Sequence, residues 1–348
     1  MSQVQPCISI IIPFLNRASL FHRPLQSIKP CSGMLTEVIL VDNGSTDQAP
    51  QMAAEFAESL SGNEWMNVKI LSCPARNACT ARNAGLAEAS GQWVYFFDSD
   101  DAFSPEFLSN FHAFSLLHKT DDLIALRTSM VLNDGRCVDR ACLYSDSPVD
   151  QILSSQLSTQ SMIFKREFIL KIGGWNEAIL RWNDWELGLR ALLHSPGMHW
   201  MKGRTYHSIY QHEDSITGKD ETTTLERSLT ALEEARKLVV HSASRSQSSQ
   251  SKGHTPLPSC QHSASKAIRA LAAREAILAG KLSAENSLDS AALIMKRAYE
   301  TLSLDQGHAP FIYIRSAVWK LFLKILFTYV ARGHRGAWRL ALALVRHT

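Results

Sequence analysis

The chain has 348 residues, of which 45% are hydrophobic and 20% are charged, and its formal net charge is +3. This composition indicates a soluble globular protein with an ample core, and the length exceeds that of most single domains. The small net charge gives no indication of a nucleic-acid partner, and none is expected.

The cysteines and the hydropathy pattern favour an intracellular protein. Seven cysteines are scattered without a Cys-x-x-Cys pair, and their odd number argues against a disulfide framework. The start of the chain lacks a basic region followed by an apolar one, and the apolar run Ile8–Ile12 is too short for a signal peptide. No stretch has the ~20 uninterrupted apolar residues of a spanning helix. We therefore expect a cytoplasmic protein.

Strand and helix patterns alternate through the first part of the chain. The predicted strands lie at 8–12, 37–41, 68–71 and 93–97, and the predicted helices at 18–28, 48–60 and 81–90. This order predicts βαβ units and a parallel sheet, in which ligands bind beyond the carboxyl ends of the strands. Pro13, Asp42 and Asp98 all fall at such ends.

The most informative strand is the apolar run Trp93–Phe97, which leads directly into Asp98, Asp100 and Asp101. A run this apolar predicts a strand that is buried on both faces. Because side chains two apart on an extended chain point the same way, Asp98 and Asp100 are predicted to project together. Two such carboxylates favour a hard divalent cation between them, and an acidic turn after a core strand is the alternative.

Four sequence blocks carry a resemblance to a known family. They are Ile10–Asn16, Val41–Asp47, Ala81–Gly85 and Phe97–Asp101. In this order and spacing they resemble the successive blocks of family 2 glycosyltransferases, and the likeness extends over roughly residues 6 to 220. The resemblance implies the GT-A fold, an α/β architecture with a Rossmann-like, mostly parallel central sheet flanked by helices.

The resemblance implies a nucleotide-sugar pocket at the carboxyl ends of the strands. Asp42 would accept a hydrogen bond from the nucleotide base, and the turn at Pro13, Phe14 and Asn16 would line the same pocket. Arg82 would face the diphosphate side of the cleft. Taken singly, Asp42 would be interpreted as a turn residue and Arg82 as a surface charge.

The resemblance also implies a divalent metal ion, Mn²⁺ or Mg²⁺. Asp98 would lie near the ribose and the metal, and Asp100 would coordinate the ion where it bridges the two phosphates. Such a cation acts as a Lewis acid on the departing diphosphate. Farther along, His212 resembles an element that closes over the diphosphate. It is predicted as a third metal ligand, with a phosphate contact or a structural role as the alternatives.

A second block indicates the acceptor side of the site. The glycine pair after Ile172 permits a tight loop, and the residues after Trp182 take helical spacing. This block resembles the loop and helix that present an acidic residue to the acceptor, usually written Glu-Asp-x-x-Leu, with Asn183 in place of the first acid. Asp184 is therefore predicted as the general base, in preference to Glu186. A helix cap is the alternative for Asp184.

Composition divides the chain into three parts. Residues 241–263 are rich in Ser and low in complexity, and they are predicted to form a flexible linker. The catalytic domain would then occupy residues 1–240 and a helical region residues 264–348.

The helical region is basic near its end. No Asp or Glu follows Asp305, and Lys320 and Lys324 interrupt an otherwise apolar helical segment. This pattern favours either a helix lying at a membrane interface, on the inner face of the cell membrane, or a core helix docked on its neighbours.

Together these features predict an inverting, metal-dependent glycosyltransferase. It would move a sugar from a nucleotide-diphosphate sugar, with a UDP-sugar expected, to a hydroxyl of a glycan or lipid-linked acceptor in cell-envelope polysaccharide synthesis. A nucleotidyltransferase acting on sugar phosphates is one alternative, but it would carry a Gly-rich loop where Pro13–Asn16 has no glycine. A non-catalytic scaffold is the other, and it would not need Asp42, Asp98, Asp100 and Asp184.

Overall fold

The computed structural model describes residues 5–212, 221–248, 258–305 and 312–347; the side chains of 245–248, 258–263 and 312–315 are not described. The chain divides into two compact units. The first comprises residues 1–144 and 156–215, and the second comprises residues 145–155 and 216–348.

Eleven strands are described in the first unit. In chain order they are β1 Ile8–Phe14, β2 Thr36–Asp42, β3 Met66–Ser72, β4 Trp93–Phe96, β5 Ala102–Phe103, β6 Leu123–Leu126, β7 Thr128–Val131, β8 Cys137–Asp139, β9 Met162–Lys165, β10 Met198–Met201 and β11 His207–Tyr210. Seven of them form a sheet in the order β10-β6-β9-β4-β1-β2-β3, and β5-β11-β7-β8 form a smaller sheet. The large sheet is parallel except at β9, which runs antiparallel to β4 and β6. The predicted α/β fold with a mostly parallel sheet is confirmed.

Helices accompany this sheet in the order that the sequence predicts. Those of the first unit are α1 Ala18–Ser27, α2 Ala49–Ser59, α3 Ala78–Glu88, α4 Phe107–Leu117, α6 Arg166–Lys171 and α7 Asn183–Leu193, while α5 Pro148–Ser154 belongs to the second unit. Side chains of β1 and β4 alternate between two apolar cores. Ile10 and Tyr95 pack into one core and Ile11 and Phe96 into the other, so both strands are buried on both faces.

The first strand continues through Pro13 and ends at Phe14. The backbone hydrogen-bonding groups of Ile11 point toward β4, because its carbonyl accepts from the Phe97 N–H. Those of Pro13 point the same way, since it lies two residues farther on, but the pairing of β1 with β4 stops at Ile11. The absence of an N–H at Pro13 therefore removes no hydrogen bond between β1 and β4.

The second unit is helical. It contains α5 and the C-terminal helices α8 Leu225–Ser248, α9 Pro258–Ala284, α10 Leu288–Ser303, α11 Ile312–Ala331 and α12 Ala337–His347. Arg297 on α10 donates to the buried Glu275 of α9 and to Glu233 of α8, at 2.7 Å in each case. Among the described helices, none has the length and apolar character needed to cross a bilayer.

The domain boundaries differ from the predicted ones. Helices α8 and α9 cover 241–248 and 258–263 of the predicted linker, and the rest of it lies outside the described residues. The second unit includes the described residues 221–240, which the sequence analysis assigned to the catalytic domain. Low complexity misled the prediction at the linker ends, because Ala, Arg and Gln among the serines are good helix formers.

Candidate active site

Two loops are joined at the carboxyl edge of the large sheet. Asn16 follows β1, and its side-chain oxygen accepts from the Thr46 backbone N–H at 2.8 Å, in the loop after β2. The Asn16 N–H donates to the Ser45 hydroxyl at 3.1 Å, and Asp42 accepts from the Ser45 N–H at 2.8 Å. Asn16 has a φ of 51°, a left-handed conformation that Asn tolerates better than most residues. The structure therefore brings Asn16 and Asp42 into one hydrogen-bonded corner.

Phe14 differs from the prediction. Its side chain is 2% exposed and packs against Phe21, with ring centroids 4.7 Å apart. Pro13 is buried as well. The Phe14 side chain thus belongs to the core, where the apolar face of α1 covers the sheet. The backbone of Phe14 lies next to the corner formed by Asn16 and Asp42, because its carbonyl accepts from the Asn43 N–H at 2.9 Å.

Arg82 on α3 contacts the end of β4. Its Nη2 donates to Oδ1 of Asp98 at 2.8 Å, and its guanidinium lies 4.4 Å from the centre of the Trp175 ring. The other oxygen of Asp98 accepts from the Gln160 side chain at 2.6 Å. The Nε of Arg82 is buried and has no hydrogen-bond partner among the described residues. This buried cation could therefore still donate to an anionic ligand.

Asp100 lies in a different set of contacts. Its Oδ2 is 2.8 Å from Nε2 of His212 and 3.7 Å from the guanidinium of Arg17. Its backbone carbonyl accepts from Arg23 at 2.7 Å, and the Arg23 guanidinium stacks on Tyr210 at 3.8 Å. Two guanidinium groups and one imidazole thus surround this turn.

Asp100 and His212 fit a divalent cation as a pair. Neighbouring ligands of an octahedral Mg²⁺ or Mn²⁺ site, each about 2.1 Å from the ion, are roughly 3 Å apart. The oxygen and nitrogen at 2.8 Å match this spacing. The Nδ1 atom of His212 is buried without a hydrogen-bond partner in the described part of the chain, so nothing there competes to orient the ring.

The carboxylate of Asp98 does not join Asp100 and His212 as a third ligand in this geometry. Both of its oxygens accept from protein donors, and Asp98, Asp100 and His212 do not form a three-ligand cluster among the described residues. The physical reason is that β4 ends at Phe96, so Asp98 and Asp100 lie in a turn and do not alternate as in a strand. The predicted ligand set of Asp98, Asp100 and His212 is therefore not assembled among the described residues.

A buried hydrogen-bond chain supports the acidic turn from below. The Asp101 carboxyl lies 2.7 Å from Nε2 of His207, whose Nδ1 lies 2.7 Å from the Tyr95 hydroxyl. Tyr95 donates to the Gln160 carbonyl at 2.6 Å. Burial, and then the charges of Asp98 and Asp100, raise the pKa of Asp101 well above its ordinary value, and burial lowers the pKa of His207 to about 3. These shifts favour a neutral pair in which Asp101 donates to His207.

The glycine-rich loop after α6 is held against α3. Gly173 and Gly174 have φ angles of 90° and 65°. A Cβ on Gly174 would lie 2.7 Å from the side-chain oxygen of Asn83, so the close approach also requires glycine. Asn83 donates to the Trp175 carbonyl and accepts from its N–H, at 2.9 Å each, which holds the ring beneath Arg82.

Asp184 and Glu186 on α7 have different environments. Glu186 is buried and forms a two-bond ion pair with Arg190, at 2.7 and 2.9 Å. Asp184 is half-buried at the start of the helix, where Oδ1 accepts from the Trp185 N–H and Oδ2 accepts from the Thr159 N–H at 3.3 Å. Because Glu186 is already paired, Asp184 is the acid of α7 that is available to a ligand.

One short turn connects the two halves of the site. The 3-10 turn Thr159–Ser161 contacts Asp184 through the Thr159 backbone and Asp98 through the Gln160 side chain. The acid predicted for the acceptor side and the acid predicted for the donor side are therefore bonded to adjacent residues. Sequence reasoning missed this turn, because no strong pattern marks the region between 103 and 161.

Four other residues at the site were also missed. Arg17, Arg23, Asp101 and His207 are common surface or core types when taken singly, and their partners lie between 77 and 112 residues away in the bonds described above. Only Asp101 carried a signal, as the third acid after β4. The sequence shows the acid, while its partner His207 becomes evident only from the fold.

This geometry can be compared with known proteins. A family model described as glycosyl transferase family 2 matches residues 9–136. The chain carries a family 2 glycosyltransferase domain. The matched part of this glycosyltransferase domain contains Asn16, Asp42, Arg82, Asp98 and Asp100.

Curated relatives match part of the chain. YibD of Escherichia coli K12, an uncharacterized glycosyltransferase, is 32% identical over 98 residues, which are 28% of this chain and 27% of YibD. The minor teichoic acid biosynthesis protein GgaA of Bacillus subtilis 168 is 35% identical over 111 residues, which are 30% of this chain and 24% of GgaA. The match thus spans only about a quarter of the length of either relative.

A solved structure matches a larger part of this chain. The crystal structure of S. aureus TarS 1-349 superposes with a TM-score of 0.65, covering 98% of this chain and 91% of that one, at 18% sequence identity. At this identity the likeness shows the fold alone. It agrees with a GT-A domain followed by a helical region.

Proposed function

We propose that the chain is an inverting glycosyltransferase that moves a sugar from a nucleotide-diphosphate sugar to an acceptor hydroxyl, with Asp184 as the general base. The observation that carries the proposal is the turn Thr159–Ser161, which bonds to Asp184 on one side and to Asp98 on the other. A single displacement needs a group that takes the proton of the acceptor hydroxyl close to the donor, and this turn holds a candidate base next to a donor-side acid.

The donor would occupy the corner at the carboxyl ends of β1, β2 and β4. Asp42 can accept from a nucleobase. The Nε of Arg82, which has no hydrogen-bond partner among the described residues, can donate to a diphosphate oxygen. A UDP-sugar is the proposed donor. TarS, whose structure superposes with a TM-score of 0.55 in a complex with UDP-GlcNAc, supports this choice.

Mn²⁺ or Mg²⁺ would be held by Asp100 and His212. When bound, the ion supplies positive charge to the leaving nucleoside diphosphate. Arg17 lies beside Asp100 and adds further positive charge on the same side. Arg82 keeps Asp98 in place through their ion pair and remains able to donate from Nε.

Asp184 would take the proton from the attacking hydroxyl as the new glycosidic bond forms. Its carboxylate is held at the start of α7 by two backbone N–H groups, which leaves lone pairs for the acceptor hydroxyl. Attack from the face opposite the diphosphate inverts the anomeric configuration. The proton remains on Asp184 until it passes to solvent, and the diphosphate departs with the electron pair of the broken bond.

The proposal is tested by nucleotide release from a UDP-sugar panel, after chelation and with Mn²⁺ restored. Wild type, Asp100→Ala and the control Asp134→Ala, in the exposed β7–β8 hairpin, are compared. We expect Mn²⁺ to stimulate the wild type and the control, and Asp100→Ala to lose at least tenfold of that stimulation. Product NMR should show the inverted anomer. Turnover indifferent to chelation and to Asp100→Ala, or a retained anomer, would contradict the proposal.

The acceptor is proposed to be a glycan or lipid-linked sugar of the cell envelope, reached by peripheral membrane attachment from the cytoplasmic side. GgaA, named for minor teichoic acid biosynthesis, supports the acceptor class. On α11 the side chains of Val318, Leu321 and Ile325 are 57%, 60% and 57% exposed and are spaced along one face. Lys320 and Lys324 are exposed beside them, which suits an anionic lipid surface.

Liposome flotation tests the membrane attachment. A Leu321→Glu/Ile325→Glu variant places acids on the exposed face of α11, and Leu117→Glu on α4, where the leucine is 82% exposed, serves as the matched control. We expect the wild type and the control to float with vesicles that contain anionic lipid, and the double variant to remain below. Equal flotation of all three, or of none, would contradict membrane attachment by this face.

A further inference from the structure

A second group of metal-ligating side chains lies away from the proposed catalytic site. His118 follows α4, Asp121 precedes β6, and His199 lies on β10. One possible ligand atom of each residue lies within 4.8 Å of the corresponding atoms of the other two. In the described part of the chain, no other group of three or more His, Cys, Asp or Glu residues has this spacing. No established or proposed step of the transfer uses these residues.

The strand directions place this cluster at the opposite edge of the sheet from Asp98. Strand β9 is antiparallel to both β4 and β6, so β4 and β6 run the same way. Asp121 precedes β6 and His199 is the second residue of β10, which is parallel to β6. Asp98 instead follows β4. The cluster therefore lies at the amino ends of the strands and is distinct from the proposed donor site.

The distances suit a tetrahedral ion. Oδ2 of Asp121 lies 2.7 Å from Nδ1 of His199 and 3.2 Å from Nδ1 of His118. With metal–ligand bonds of about 2.0–2.2 Å, ligand atoms of a tetrahedral zinc site are roughly 3.3 Å apart. Small side-chain shifts are enough to bring the three atoms to that spacing.

The backbone around the cluster is well held. The Asp121 N–H donates to the His118 carbonyl at 3.2 Å, and Asp122 N–H donates to the Gly197 carbonyl at 2.8 Å. Asp122 also accepts from the Gly197 N–H at 3.0 Å. The His118 ring stacks against Phe114, with centroids 4.2 Å apart. Ligand residues supported in this way lose little freedom on binding an ion.

We propose that His118, Asp121 and His199 bind a Zn²⁺ ion that connects the edge strand β10 to the end of α4. Two imidazoles and one carboxylate favour a borderline ion such as zinc, whereas the Mg²⁺ or Mn²⁺ of the donor site prefers oxygen ligands. The His199 side chain is 56% exposed, so a fourth position is open to water or another ligand. Bound zinc stabilises the unit, because the ion holds elements that the unfolded chain does not bring together.

The test uses full-length protein without a histidine tag, cleared of metal with a chelator and titrated with Co²⁺ and Zn²⁺. Co²⁺ reports tetrahedral ligands by its visible absorption. We compare wild type with His199→Ala and with the control His194→Ala, which removes another exposed histidine from the same unit. Asp100→Ala is included because it removes the other proposed ion site.

We expect one tetrahedral Co²⁺ in wild type, in His194→Ala and in Asp100→Ala, and at least a hundredfold weaker binding in His199→Ala. Saturating Zn²⁺ should raise the melting temperature of the first three by roughly 5–10 °C and leave His199→Ala unchanged. Equal binding by wild type and His199→Ala, or loss of the tetrahedral spectrum in Asp100→Ala alone, would overturn the proposal.

Discussion

Asp101 and His207 are joined by a 2.7 Å hydrogen bond, although 106 residues separate them in the chain. Both side chains are almost fully buried. Asp101 belongs to the acidic turn after β4, and His207 begins β11 of the smaller sheet. The bond thus connects the two sheets directly beneath the residues proposed to hold the donor and the metal.

The Asp101–His207 pair should make stability depend on pH. The raised pKa of Asp101 contributes folding stability that is fully present below its ordinary pKa of 3.8 and is lost as the pH rises. The lowered pKa of His207 contributes folding stability that is fully present above its ordinary pKa of 6.5 and is lost as the pH falls toward 3. Between pH 3.8 and 6.5 the folded and unfolded pair bind the same number of protons. Above pH 6.5 the unfolded pair has released both protons, whereas the folded pair keeps one for as long as Asp101 stays protonated, so over that range stability should fall by up to about 1.4 kcal/mol per pH unit.

Asp101→Asn is the matched variant, because its amide can donate to His207 and its oxygen can accept from the Tyr210 N–H without titrating. Urea unfolding midpoints at pH 6.5, 7.5 and 8.5 should fall more steeply in the wild type than in Asp101→Asn. Parallel profiles for the two proteins would show that the pair does not hold the extra proton.

Asp184→Asn should lower turnover by roughly 10²- to 10⁴-fold, because the amide cannot take a proton. Binding of UDP should change little, since Asp184 is assigned to the acceptor. Steady-state kinetics with the best donor of the panel and isothermal titration with UDP measure the two effects.

Glu186→Gln is the counterpart to this variant on the same helix. It breaks a buried charge-assisted pair with Arg190 and should destabilise the domain by about 1.5–3 kcal/mol, which appears as a lower melting temperature. If Glu186→Gln instead abolished turnover in folded protein while Asp184→Asn remained active, the assignment of the base would be reversed.

The sequence predicted the elements that local pattern controls. The apolar runs predicted β1, β2 and β4 to within one or two residues, and Asp42 is the last residue of β2 as expected. Helix α3 starts at Ala78, earlier than predicted, because Asn77 caps it by accepting from the Cys79 N–H. A single Asn in a polar stretch is too weak a signal to mark that start.

Contacts between distant segments were not predictable in this way. The alternation rule placed Asp98 beside Asp100, but β4 ends two residues before Asp98 and the rule no longer applies there. Gln160 contacts Asp98 from a turn 62 residues away. No local pattern contains that pairing, because it depends on β9 inserting antiparallel beside β4.

Substitutions at Asn16 should affect UDP affinity and folding stability separately. Asn16→Gly keeps the left-handed backbone but loses the bond to Thr46, and Asn16→Ala loses the bond and adds backbone strain of about 1 kcal/mol or more. We expect both variants to bind UDP more weakly, and Asn16→Ala alone to show the added loss of stability. Titration calorimetry and urea unfolding report the two effects. UDP affinity equal to that of the wild type in both variants would remove Asn16 from the donor corner.

Gly85 should be the residue that sets how closely α3 approaches the sheet. A Cβ there would overlap Cγ2 of Ile11 and would lie 3.2 Å from Cγ2 of Val41, and both side chains are fully buried. Gly85→Ala should therefore cost roughly 1–3 kcal/mol. Because Arg82 lies one turn earlier on the same helix, UDP binding should weaken as well.

The control for Gly85→Ala is Ala87→Ser, on the exposed side of α3, which should change neither stability nor affinity. Ile11→Ala removes the methyl group that the new Cβ would meet. Added to Gly85→Ala, it should cost less than the sum of the two single changes, because each change relieves the defect of the other. If the losses of unfolding free energy in Gly85→Ala and Ile11→Ala simply added in the double variant, α3 would have moved away without contacting Ile11. The prediction that the contact between residue 85 and Ile11 controls the position of Arg82 would then be wrong.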